Sequence, residues 1–276
     1  MKISKAFRAF DAELDTDVCR KRTNADLTLT LRLGLHQQNP RWADQEYDVV
    51  FDGNVRGQPI RHIVAWTPEE WSTFKRRLIR QVESVWNGKL WLLNRKDRLL
   101  FKDDTDTYAP NIYCKLKLIA DDAGTRNHHQ VVNVVRLHSG SEPFRANSLN
   151  LSDRSVIQYN SKLDSRGHPI PHAVAAHEIG HLLGLNHVDF GKPHCAAGTD
   201  TGADPCYGVT DEDMRNVMGG GMQVSLANAF PWQRALLMMA ETVPALGPAS
   251  QARLDDWAPS LHYVPPRKMA VAVPTS

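Results

Sequence analysis

The chain has 276 residues, 42% of them hydrophobic, enough for one large domain or a domain with an appendage. Its formal net charge of +2 lacks the basic excess of a phosphate-reading surface, which argues against nucleic acid as a partner. No window approaches the ~18 consecutive apolar residues of a membrane-spanning helix.

The N-terminus, MKISKAFRAFDAELD, starts basic but places Asp11, Glu13, Asp15 and Asp17 where an export signal needs an apolar run. The expectation is a protein without a Sec leader, cytoplasmic as synthesised or exported by a dedicated machine. Residues 26–36 alternate strictly, with leucines at 27, 29, 31, 33 and 35, and predict a strand with one buried face. YDVVFD (47–52) and RHIVAW (61–66) read as further strands.

Thr67, Pro68 and Glu70 then make a helix start: cap, first helical position and capping box. Apolar residues at 71, 74, 78, 82 and 85 form one stripe, so the helix lies on a sheet until Asn87-Gly88 ends it. Residues 89–94, 112–120 and 129–138 read as strands, with 147–151 and 155–160 as edge pieces. Helices are expected over 171–185 and 231–243. Beyond about 244 the chain is rich in Pro and Ala without periodicity, an extended arm or a disordered tail. The fold class expected is α/β or α+β with a mixed sheet. Three segments are expected: a β-rich 1–66, a central domain over 67–243 and a tail over 244–276.

HEIGHLLGLNH (177–187) begins on the helix expected over 171–185. His177 and His181, four residues apart, project from one helix face, a spacing that suits two ligands of a tetrahedral ion. Glu178 lies roughly 100° further round, placed for a water rather than for the ion. Gly184 is where the helix stops, because a left-handed residue there costs little only for glycine. His187 then swings back as a third nitrogen. Three protein ligands with the fourth position open are the pattern of a catalytic zinc site.

The stretch resembles the metzincin signature, in which three histidines bind Zn2+ and the glutamate is general base. The resemblance covers roughly residues 110–243. It implies a zincin-like fold: a mixed twisted sheet, a backing helix, an active-site helix and a C-terminal helix after a methionine-containing turn. RNVMGGG (215–221) supplies that turn with Met218, whose thioether the resemblance places under the imidazoles. It also implies an antiparallel edge strand beside the cleft, either 129–138 or 147–151. Some metzincins carry a tyrosine two residues past this methionine; here Gly220 stands there, and the subfamily stays open. The glycine-rich loop PHCAAGTDTGADPCYG (193–208), between the third histidine and the turn, shapes the substrate pocket in this reading.

The function implied is a zinc metalloendopeptidase acting on a protein or peptide substrate. Without an export signal, a delivered toxin or effector with a cognate inhibitor or immunity protein is one form of it. A zinc-binding scaffold without turnover and a zinc hydrolase of a non-peptide bond are the alternatives. Cys195 and Cys206 flank the loop, either bridged or free. Cys19, in DVCRKR, departs from the usual cysteine-switch context. Asp200-Thr201-Gly202 reads as a turn, and Asp200, Asp204 and 103–106 as solvated loop acids rather than a calcium site. His172, about 140° from His177 on a continuous helix, is expected to face away from the metal. His168 and His194 are expected at the surface, His194 also as a candidate for substrate contact, and Trp232 with residues 236–239 in the core.

Overall fold

The protein's structure, a computed structural model, describes residues 2–42, 44–46, 48–51, 60–124, 127–196, 202, 204–240 and 253–269. The N-terminal strands are β1 (Lys2–Ala6), β2 (Asp11–Asp15), β3 (Ala25–Gln38), β4 (Asp48–Phe51) and β5 (Ile60–Val64). Helix α1 (Pro68–Trp86) leads to β6 (Trp91–Asn94), β7 (Phe101–Lys102), β8 (Thr107–Ala109), β9 (Ile112–Asp122) and β10 (Gln130–Leu137). After β11 (Asn150–Ser152) come β12 (Tyr159–Leu163), β13 (Pro169–His172), α2 (Val174–Leu182), α3 (Asp211–Arg215) and α4 (Phe230–Met239). The last strands are β14 (Trp257–Ser260) and β15 (Arg267–Lys268). The class is mixed α+β, with few helices. None of the described helices is long and apolar enough to cross a membrane.

Two compact units emerge, 1–31 with 86–117 and 224–276, and 32–85 with 118–223; β3 and β9 supply residues to both. In the first unit, β1 pairs antiparallel with β2, and β2 with the first half of β3. Antiparallel pairs also join β14 to β6 and β6 to β9. Trp232 of α4 is fully buried near Trp86, and its indole N–H donates to the Lys115 carbonyl at 2.9 Å. Trp232, Leu236 and Met239 are core, as expected, while Met238 is exposed.

The C-terminal segment is an ordered arm over 253–269: Trp257 and Asp256 are buried, and Arg98 Nε donates to the Asp256 carboxylate at 3.0 Å. No local periodicity announces it, because its partner strand lies some 160 residues upstream. Asp103 and Asp106 are held by Arg22 and Lys268, so those loop acids are paired with cations of the chain itself. Cys19 and Cys114 are buried thiols, and burial pushes Cys19 up to about 12, which leaves it unreactive.

In the second unit, the later half of β3 runs parallel to β10, whose other partners are β11, parallel, and β5, antiparallel. β4 pairs with β5; Tyr47 and Asp52, expected to belong to that strand, lie outside the described residues. The predicted stripe of α1 is buried at Trp71, Phe74, Leu78, Val82 and Val85. The capping box forms as expected, Glu70 N–H to Thr67 Oγ1 at 3.3 Å and Thr67 N–H to Glu70 Oε2 at 3.2 Å. Glu83 accepts the Leu118 N–H, and Trp71 Nε1 donates to Asp122, so the helix is tied to the end of β9 by hydrogen bonds as well as apolar burial.

Two expectations need correction here. Residues 171–185 are not one helix: Pro171 and His172 close β13, and α2 starts at Val174. The edge strand within 147–151 is β11, and it runs parallel to β10 instead of antiparallel.

Candidate metal centre

Helix α2 is short and has no side-chain N-cap, so burial rather than local propensity holds it. Ala173, Ala175 and Ala176 are fully buried, and their small side chains let the helix sit deep in the second unit. Its end is a Schellman motif: Leu185 N–H reaches the Gly180 carbonyl and Gly184 N–H the His181 carbonyl. Gly184 has φ +94°, the left-handed conformation predicted for it. The cap also orients a site residue, because the Leu185 carbonyl accepts the His181 Nδ1 proton at 2.8 Å.

The glycine-rich turn does the same for His177 and fastens the backbone beside His187. His177 Nδ1 donates to the Val217 carbonyl at 2.8 Å, and Val188 N–H, next to His187, donates to the Met218 carbonyl at 3.0 Å. Met218 is buried, 1% exposed, and its own N–H donates to Asn216 Oδ1. The turn requires glycine for close approach: a Cβ at Gly219 would sit 2.2 Å from the Asp213 carbonyl oxygen, and one at Gly221 2.0 Å from that of Arg215.

The structure brings together all three predicted histidines. His181 Nε2 lies 3.1 Å from Nε2 of His177 and 3.1 Å from Nε2 of His187. Carbonyl oxygens only accept, so Nδ1 of His177 and of His181 carries the proton and each Nε2 presents a lone pair. Burial and then the neighbouring histidines push His177 well below its ordinary value, which keeps it neutral. Lone pairs facing one another at that distance repel unless a cation lies between them. Two nitrogens bound tetrahedrally to one zinc ion at about 2.05 Å sit roughly 3.3 Å apart, so the residues present fit a metal ion. Among the described residues this is the one group of three or more His, Cys, Asp or Glu whose ligand atoms converge, all within 4.8 Å.

Glu178 does not join that group. It is 8% exposed, burial pushes its carboxyl up to about 8, and it lines a cavity of about 860 Å3 together with His177. Gly220 lines the same cavity, so no side chain enters there from the turn.

His172 departs from expectation. Because β13 rather than α2 carries it, its ring meets that of His177 edge-on at 5.7 Å and lines the cavity instead of facing away. Tyr159 hydrogen-bonds its Nδ1 at 3.2 Å, while its buried Nε2 has no partner among the described residues. Burial, then the charge of Lys162, lowers it to about 4.

Tyr207 was not singled out in the sequence, yet its ring centroid is 4.0 Å from that of His187 and 5.4 Å from that of His177. No local pattern marks it; its neighbour Cys206 is the one signal. Cys206 is disulfide-bonded to Cys195, which settles the pairing the sequence left open. Close to that bridge, buried Asp189 accepts from His194 Nε2 at 2.8 Å, from Lys192 and from the Val209 N–H. His194 is thus engaged with Asp189, while His168 is exposed beside Asp164. Asp204 lines the cavity; Asp200 and Thr201 lie outside the described residues. Compared with protein families, with characterised proteins and with solved structures, the chain matches none.

Proposed function

We propose that the protein is a zinc-dependent endopeptidase of metzincin type, with His177, His181 and His187 as the ligands, Glu178 as the general base, and Gly184 and Met218 as supports of the site. The observation that carries the reading is the convergence of three imidazole Nε2 atoms, with one of the three histidines, His177, lining an open cavity together with the buried Glu178. Zinc, when bound, lowers the pKa of water and polarises a carbonyl. The fold supports the zincin-like reading in part, through the buried methionine turn whose backbone carbonyls hold His177 and the segment after His187.

In this reading a peptide lies in the cavity with its scissile carbonyl toward the triad. Glu178 takes a proton from the attacking water as the C–O bond forms. It then delivers that proton to the amine as the C–N bond breaks. The carbonyl anchors at Leu185 and Val217 keep both imidazoles in the tautomer that offers Nε2. Gly220 leaves the turn without a phenol, so Glu178 acts without tyrosine from that position.

The test is mass-spectrometric mapping of new protein N-termini in a lysate treated with zinc-loaded protein, with Glu178→Gln as control. Termini that appear only with the unsubstituted protein are expected, together with equal zinc content and a loss of turnover of about 10²–10⁴-fold in the variant. Equal cleavage by both proteins would falsify the assignment of Glu178. No cleavage by protein that holds zinc favours the scaffold, or the hydrolase of another bond.

A further inference from the structure

The geometry points to Lys162 as a specificity-determining residue of this cavity, one that selects substrates carrying a carboxylate beside the scissile bond. The inference rests on the peptidase reading and names its substrate class. In a regular strand, residues three apart face opposite sides. Tyr159 and Lys162 of β12 nevertheless both line the cavity. The reason is an irregularity in the β12–β13 pairing: Tyr159 stands opposite His172 and Asn160 opposite Pro171, but Lys162 already faces Ile170. One extra residue in β12 re-aims the lysine, the usual effect of a bulge at the rim of a site.

Glu178 and Asp204 line the same cavity, but neither is ion-paired with the lysine so placed. Among the described residues no carboxylate pairs with Lys162; its contact is with the face of Tyr207, 5.8 Å from Nζ to the ring centroid. That same ring lies 4.0 Å from His187, so a single aromatic side chain separates the ammonium from the metal centre. Lys162 is half-buried and lines the cavity wall beside Tyr207. The guanidinium of Arg154, which lines the same cavity, is engaged elsewhere: it donates to the carbonyls of Ser141 and His138, and its charge acts on Asp153. A substrate carboxylate supplies the partner that Lys162 lacks among the described residues. Its source is an Asp or Glu side chain, or the free C-terminus of a short peptide.

Binding reads this without turnover. Three peptide hydroxamates, with Glu, Gln or Lys beside the chelating group, are titrated calorimetrically against zinc-loaded protein. A fourth, with Gln there and a free C-terminal carboxylate in place of the amide, separates the two sources. The unsubstituted protein is expected to bind the Glu or the free-carboxylate ligand about tenfold more tightly than the Gln amide. Lys162→Met is expected to level them at unchanged zinc content, and Lys162→Glu to turn the preference to the Lys ligand. Equal affinities in the unsubstituted protein, a preference that survives Lys162→Glu, or no binding of any ligand to zinc-loaded protein each overturns the proposal. Failure of the peptidase reading shows separately, as ligand discrimination without cleavage.

Discussion

At the scale of single residues, the metal centre depends on which nitrogen of each imidazole carries the proton. The carbonyls of Val217 and Leu185 decide this for His177 and His181, and they belong to a turn and a helix cap rather than to other side chains. Replacing His177 by Ala should therefore remove one ligand without disturbing the Leu185 carbonyl that anchors His181. We expect the variant to lose bound zinc, measured by metal analysis after dialysis, and to lose the rise in melting temperature that zinc gives the unsubstituted protein. An unchanged zinc-dependent rise would remove His177 from the ligand set. The signature was legible at this scale because its five residues fall within eleven positions, where helix geometry alone dictates who faces whom. Tyr207, Lys162 and the true place of His172 were not legible, since a disulfide loop, a bulge and a strand–helix junction bring them to the cavity.

Among the elements, the β12–β13 hairpin matters most to the cavity, and Asp164 in its turn holds it. The carboxylate accepts the backbone N–H of His168 at 2.8 Å and of Arg166 at 2.9 Å, and it also binds Arg215 at the end of α3. These donors, the His168 N–H first, hold its carboxyl below the usual carboxylate range. A group whose folded pKa is depressed stabilises the fold above its unfolded value, near 3.9, and that contribution is lost as pH falls through the folded value. Asp164→Asn is therefore expected to melt below the unsubstituted protein at pH 7, with the gap closing below about pH 4. Equal melting temperatures at neutral pH would contradict this. Helix α1 was read correctly from its stripe and its capping box, both local signals. Helix α2 was read too long, because its apolar run continues into β13 without a breaker that separates strand from helix.

At the scale of the molecule, the C-terminal residues show how a segment with little local signal becomes structural. Trp257, 2% exposed, pairs through β14 with β6, register Trp257↔Asn94. Trp257→Ala is expected to cost roughly 3–5 kcal/mol, read by urea denaturation. A loss under about 1 kcal/mol would mean that 253–269 merely lies on the first unit. β1 and β2 make the same point at the other end: their acidic residues suggested only the lack of a leader, yet Ala12 and Leu14 between them are buried and extend the pairing of β3.

The sequence by itself determined the strand of alternating leucines, the backing helix, the left-handed stop at Gly184 and the three-histidine spacing. Each is set by contacts within a few turns or a few strand residues. Only the tertiary structure decided the parallel placement of β11, the Cys195–Cys206 bridge, the anchoring of the histidines by Val217 and Leu185, and the walls of the cavity. Those features arise where backbone groups distant in sequence must find partners as they leave water. No local pattern of side chains records which partner each will find.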